Sequence, residues 1–364
     1  MNRRAVLGGG AAVAVAGVGA VTSAVIGMGS SSEYKSAVAD MRLALPLLPE
    51  LKDYIRFATL AANSHNTQAW TFHVGNNRIE LSPDFSRRTA IVDPDDHHLF
   101  VSLGCAAENL SLAAAAGGNP GELSFDPLGI GTIGFDFGSG TANSSPLFGA
   151  ITQRQSTRAE YDSRRVSAAD LAMLSGAAKV PGVDVVFMTE QIQIERLRDV
   201  VVAANDVQMM DTSYLRELKS WLRFNPRQAL LSGDGLYSAA TGNPNLPTWL
   251  GPKIFNWFVS AKSESDKYAK QMLSSSGIAI FVSQREDREH WTKVGQACQR
   301  FALQATALGI KCAFMNQPIE VAQFRSEVAA LVGLPGRRPD ILMRFGYGPA
   351  LPFSARRSVE AVIV

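Results

Sequence analysis

The hydrophobic pattern of this chain switches repeatedly between helical and strand periods. Leu51, Tyr54, Ile55, Phe57 and Ala58 recur at helical spacing in PELKDYIRFATLAA, which predicts an amphipathic helix. AWTFHV and RIELSP then read as two strands joined by the turn Gly75–Asn77. Between helix and hairpin lies AANSHNTQAW, residues 61–70, too polar for a core segment and too specific in its donors and acceptors for a generic loop. Downstream, HHLFVSLGCAAENLSLAAAAGG predicts a long apolar helix that stops at Gly117 and Gly118. The run DPDDHH before it crowds Asp93, Asp95, Asp96, His97 and His98 as metal ligands could be crowded, yet helix initiation accounts for it. Asp93 serves as N-cap, Pro94 takes the first helical position, and Asp95 and Asp96 favour the positive end of the dipole. This reading assigns no metal.

The apolar helix recurs. VSLGCAAENLSLAAAAGG aligns with TKVGQACQRFALQATALG, pairing Gly104 with Gly295 and Gly118 with Gly309 at a constant offset, 295 − 104 = 191. The chain therefore reads as two versions of one domain, with the small residues of these helices forming the contact between halves. Residues 33–150 make the first half and 151–364 the second. The second half opens with VSAAD, where Ser167 is an N-cap and Asp170 takes the capping-box position. VDVVFM, GIAIFVS and DILMRFGYG supply strands. Residues from about 191 to 270 have no counterpart in the first half, and read as an insertion packed over a site, a candidate lid.

Bulk properties narrow the function. The 364 residues are 46% hydrophobic and 19% charged, enough to bury a substantial core. The 35 basic and 33 acidic side chains are well mixed, so nucleic acid is not an expected partner. Cys105, Cys298 and Cys312 show no metal or redox spacing and read as small buried residues. Residues 1–32 differ in kind: Arg3 and Arg4 precede an uncharged Ala/Gly/Val run lasting until Glu33. That pattern resembles a twin-arginine export signal, with a plain membrane anchor through residues 5–28 as the alternative. It implies an exported protein, in the periplasm or cell envelope, that meets the export machinery and touches the membrane only through this segment. GGGAAVA inside it lacks the strand and acidic residue of a dinucleotide-binding loop.

Four pieces, SHNTQAW, RQSTR at Arg154–Arg158, LGIKCAFMNQPIE and ARRSVEAVI, stand in an order that resembles the flavin-dependent nitroreductase family, in particular its double-length branch typified by mycobacterial Acg-like proteins. Ala69 departs from the family's usual proline, and Asn63 stands where serine is common. The resemblance implies an α+β nitroreductase fold, internally duplicated into an intramolecular pseudo-dimer with mixed or antiparallel sheets flanked by helices. It implies flavin mononucleotide (FMN) as cofactor, one complete site surviving because the polar run lies only in the first half and the arginine elements only in the second. The residue chemistry agrees. Arg154 with Arg356 or Arg357 offers planar, charged donors for a phosphate, and Ser156 adds a hydroxyl. Arg158 near the pyrimidine carbonyl would stabilise the reduced ring. Ser64, Asn66 and Gln68 offer mixed donors and acceptors. By resemblance, Pro318, Ile319 and Glu320 lie near the ring edge, whereas His65 reads as a structural histidine. The expected activity moves hydride or electrons from a reduced donor, such as NAD(P)H, to a small quinone or nitro acceptor, with no catalytic side chain because the flavin carries the chemistry. The alternative is a flavin-sequestering protein whose closed lid prevents turnover.

Overall fold

The computed structural model describes residues 27–258 and 260–364. The signal or anchor reading rests almost entirely on residues 1–26, outside the described residues. The opening elements are α1 (Ser31–Asp40), α2 (Leu51–Thr59), β1 (Trp70–Val74), β2 (Arg78–Pro83), α3 (His97–Ala116), β3 (Gly121–Asp126), β4 (Thr132–Phe137) and α4 (Pro146–Ala150). The helix α5 (Ala168–Ala177) and strand β5 (Val183–Met188) follow. Then come α6 (Gln191–Met210), α7 (Thr212–Ser220), β6 (Leu222–Arg223), α8 (Pro226–Ser232), β7 (Leu236–Tyr237), α9 (Gly251–Phe258) and α10 (Ala261–Leu273). The chain continues through β8 (Gly277–Ser283), α11 (Arg288–Ala307), β9 (Lys311–Phe314), α12 (Gln317–Glu320), α13 (Arg325–Leu331) and β10 (Pro339–Gly346).

Two four-stranded antiparallel sheets dominate, ordered β1-β2-β4-β3 and β5-β8-β10-β9. In each, two strands precede a 20-residue helix and two follow it, and the spatial order is first, second, fourth, third. The helices keep the offset seen in the sequence, since 288 − 97 and 307 − 116 are both 191. Where the first half turns tightly at residues 75–77, the second interposes residues 189–276, which carry α6 to α10.

The helices α3 and α11 lie against each other at their glycines. A methyl group at Gly104 would collide with the Thr292 carbonyl oxygen, and one at Gly295 with the Val101 carbonyl oxygen. Only the missing Cβ atoms allow this approach. The Cys105 thiol donates to the Gly295 carbonyl at 3.2 Å, and all three cysteines are buried. Among the described residues α3 is the one helix long and apolar enough to cross a membrane, but it is a buried core helix between the two halves.

Local chemistry sets the helix starts. Ser167 accepts the Asp170 N–H at 3.0 Å and donates to its carboxylate at 2.8 Å, which fixes α5 where the capping pattern predicts it. The start of α3 differs. The helix begins at His97, not directly after Asp93, because residues 94–96 form a turn and Asp96 adopts a left-handed conformation, φ 59°. The Asp93 carboxylate reaches over that turn to accept the N–H groups of His98 and Leu99, each at 3.0 Å. The carboxyl-terminal segment returns to the first half. Phe72 in β1 donates its N–H to the Val362 carbonyl at 2.8 Å, and Val364 donates to the Phe72 carbonyl at 3.0 Å.

Candidate functional site

Two adjoining cavities open where the halves meet, sharing Ala62, Asn63, Arg158 and Leu236 in their walls. The smaller is basic. Arg42, Arg154, Arg158 and Arg356 line it together with Ser156 and Asn66, and no carboxylate does. Among the described residues none of these four guanidinium groups makes an ion pair. Arg154 is buried, donates from Nη2 to the Leu60 carbonyl at 3.1 Å, and leaves Nε without a partner among the described residues. Arg356 is anchored more fully: Nε donates to the Thr59 carbonyl at 2.7 Å and Nη1 to Asn66 Oδ1 at 2.8 Å. Burial, then repulsion from Arg42 and Arg154, pushes Arg356 well below the usual arginine range. Burial and Arg154 likewise push Arg42 down to about 10. This is concentrated positive charge with no carboxylate partner among the described residues.

The larger cavity is polar and aromatic. Asn63, Ser64 and His65 form one wall, His98 and Ser102 of α3 another, and Asn316, Gln317 and Glu320 a third. The inserted segment closes it with Gln208, Tyr214, Leu218, Leu236, Tyr268 and Gln271. Glu320 accepts Gln208 Nε2 at 2.7 Å, and its other oxygen stands 3.9 Å from His98 Nδ1. Burial raises the Glu320 carboxyl above the ordinary range and lowers the His98 imidazole. His65 is pushed down to about 4 by burial, then by Arg158 and His98. Both imidazoles are therefore neutral at pH 7, while Arg158, at the junction of the cavities, holds a positive charge.

Of the residues singled out in the sequence, Ser64 and Glu320 line the larger cavity, Asn66, Arg154, Ser156 and Arg356 the basic one, and Arg158 both. Four lie off both walls. Gln68 is fully buried and spends its side chain on protein: Nε2 donates to the Gly233 carbonyl and Oε1 accepts the Arg357 N–H, each at 2.9 Å. Arg357 points to the other side of the tail and donates to the Gln68 and Ala361 carbonyls, at 3.3 and 2.5 Å. Pro318 lies in the first turn of α12, and Ile319 packs into an apolar cluster with Met315, Val328 and Leu342. Asn66 is on the cavity wall but its groups are also committed, donating to the Gly235 and Ala355 carbonyls at 3.0 and 3.1 Å. The polar run thus grips the insertion and the carboxyl-terminal tail. Backbone strain accompanies that grip, because His65, Asn66 and Gln68 all have positive φ, 45°, 55° and 52°.

Sequence reasoning missed Arg42, His98, Tyr214 and Tyr268. The two tyrosines fall in the unmatched insertion, and Arg42 follows a helix far from any recognisable pattern. His98 stands in the sequence as one residue of a predicted helix, at the end of a run that helix initiation explains.

The Nitroreductase family model matches residues 151–348, so the chain belongs to the nitroreductase family. The Mycobacterium tuberculosis (strain H37Rv) protein Rv3131, named as an NAD(P)H nitroreductase, is 27% identical over 339 residues, covering 89% of this chain and 94% of that one. A second protein of that strain, the NAD(P)H nitroreductase named acg, is 21% identical over 328 residues, 86% of this chain and 94% of its own. Among solved structures, the FMN-dependent nitroreductase NfnB from Mycobacterium smegmatis in complex with NADPH has a TM-score of 0.38 at 16% identity, covering 60% of this chain and 91% of NfnB. The family assignment rests on the sequence match.

Proposed function

We propose that the two adjoining cavities hold one FMN, and that the protein is an oxidoreductase passing hydride or electrons from NAD(P)H to a small acceptor such as a quinone or nitro compound. The observation that carries this reading is the basic cavity, four guanidinium groups without a carboxylate. Such a site is costly unless a multiply charged anion completes it, and a phosphate monoester does so. Arg154 and Ser156 would hold the phosphate, while Arg42 and Arg356 add charge. The larger cavity, reached past Arg158, suits a flat polar ring: bound there, the flavin would supply the hydride chemistry. Arg158 would then favour the reduced, more negative ring. The NAD(P)H donor is taken from the names of the Mycobacterium tuberculosis relatives.

The strand order shared by the halves supports an intramolecular pseudo-dimer, and the gathering of Arg42, Arg154, Arg158 and Arg356 in one cavity supports one flavin per chain. The insertion walls the larger cavity, which supports its reading as a lid. Export through the twin-arginine route is proposed on Arg3 and Arg4 and the uncharged Ala/Gly/Val run that follows them.

Titration of the purified chain with FMN, followed by quenching of flavin fluorescence, tests the cofactor claim. One equivalent should bind, and millimolar inorganic phosphate should compete. Riboflavin binding as tightly as FMN would overturn the assignment of the basic cavity.

A further inference from the structure

We propose that Asp93, His97 and His98 form a second site, for a divalent transition-metal ion of the class bound by imidazole and carboxylate, with Zn²⁺ as the reference ion. The three residues are buried and place one ligand atom each within 4.8 Å of one another. Their hydrogen bonds show what is left for an ion. His97 donates Nε2–H to the Asp340 carboxylate at 2.8 Å, and His98 donates Nε2–H to the Asp340 main-chain carbonyl at 3.2 Å. Because both acceptors are oxygens without protons, a ring holding a single hydrogen carries it on Nε2 and keeps its lone pair on Nδ1 for an ion. Among the described residues His97 Nδ1 has no partner, although His97 is fully buried. A buried lone pair without a donor is unfavourable, and a cation satisfies it.

The surroundings match a metal shell. A histidine ligand is commonly held by a carboxylate or carbonyl on its second nitrogen, and Asp340 supplies one of each. The imidazole centroids are 4.7 Å apart with planes at 35°, close to the separation of two rings sharing one ion. Asp93 already accepts two amide hydrogens, but a carboxylate has about four lone-pair sites and keeps capacity for a cation. Glu320 stands 3.9 Å from His98 Nδ1, beside the three ligands but outside the group that lies within 4.8 Å. Ligand atoms around a tetrahedral ion at about 2.1 Å stand roughly 3.4 Å apart, so side-chain adjustments of about an ångström close the set. The ion would join the start of α3 to β10 through Asp340 and fix His98 on the wall of the larger cavity. The proposal does not rest on the flavin assignment, although His98 belongs to both the metal group and the wall of the larger cavity.

The test uses the full chain, stripped with chelator and titrated with ZnCl₂ against a chromophoric competitor, alongside melting curves in chelator and in excess Zn²⁺. One equivalent per chain and a higher melting temperature with Zn²⁺ are expected. In His97→Gln the amide can still donate to Asp340 while Nδ1 is lost, so affinity should fall at least tenfold with the chelator-treated melting temperature little changed. Asp340→Asn, which keeps the main-chain carbonyl, should weaken binding about tenfold to a hundredfold. Failure of wild type to bind or to gain melting temperature overturns the proposal, as does equal binding by wild type and either folded variant. Should both variants unfold, the wild-type stoichiometry and melting shift decide it.

Discussion

The side-chain oxygen of Gln68 accepts the main-chain N–H of Arg357 at 2.9 Å, joining residues 289 apart in the chain. Through Nε2 the same side chain holds the Gly233 carbonyl of the insertion. Three segments therefore meet on one buried carboxamide, and removing it leaves a buried donor and a buried acceptor unpaired. Gln68→Ala should lose about 2–4 kcal/mol of stability, measured by urea unfolding with the m-value unchanged. Because Gln68 lies off both cavities, FMN affinity measured below the unfolding transition should change less than in variants of Arg154.

The contact between α3 and α11 is equally sensitive. Gly295→Ala places a methyl group against the Val101 carbonyl oxygen, which no side-chain rotation can relieve. Separation of the helices should cost about 3 kcal/mol or more and lower the melting temperature by several degrees. Gly309→Ala, with nothing near its position but a left-handed backbone, should cost less, about 1 kcal/mol.

Arg154 tests the phosphate site without disturbing the ring cavity. Arg154→Ala should weaken FMN binding by about tenfold to a hundredfold, the worth of a charge-assisted hydrogen bond to a dianion. Arg154→Lys should recover part of that loss because a point charge replaces the planar fork. Riboflavin affinity should be insensitive to both changes.

His65 links stability to pH. Its imidazole titrates near 6.5 when unfolded and is pushed down to about 4 in the fold, by burial first. The folded state thus favours the neutral ring. The contribution of His65 is fully present above about pH 6.5 and is lost progressively as pH falls toward 4. His65→Gln should flatten the fall in melting temperature across that window, as followed by calorimetry.

Periodicity and small residues revealed the duplicated frame, because the α3 and α11 contact demands glycine at matching positions and leaves the same imprint twice. The capping pattern at Ser167 was local and therefore readable. The roles within AANSHNTQAW were not: a carboxamide that binds a cofactor and one that binds distant backbone have the same composition, and the partners of Gln68 lie 165 and 289 residues away. Arg356 and Arg357 could not be separated in advance, since neighbours on an extended tail point to opposite sides. Pro318 and Ile319 lie off the cavity because α12 turns its two middle residues away, leaving Gln317 and Glu320 at the wall. The insertion followed no repeat, so its tyrosines had no counterpart from which to be found.

The most direct measurement is the visible absorption spectrum of the purified protein reconstituted with FMN and freed of unbound flavin, before and after anaerobic addition of NADPH or NADH. An FMN-dependent oxidoreductase should show oxidised-flavin bands at one equivalent per chain, and they should bleach promptly and return when a quinone or nitro compound is added. Bands that persist with both nucleotides would contradict the oxidoreductase and favour a flavin-holding protein closed by its insertion. A protein that retains no FMN would contradict the account at its root.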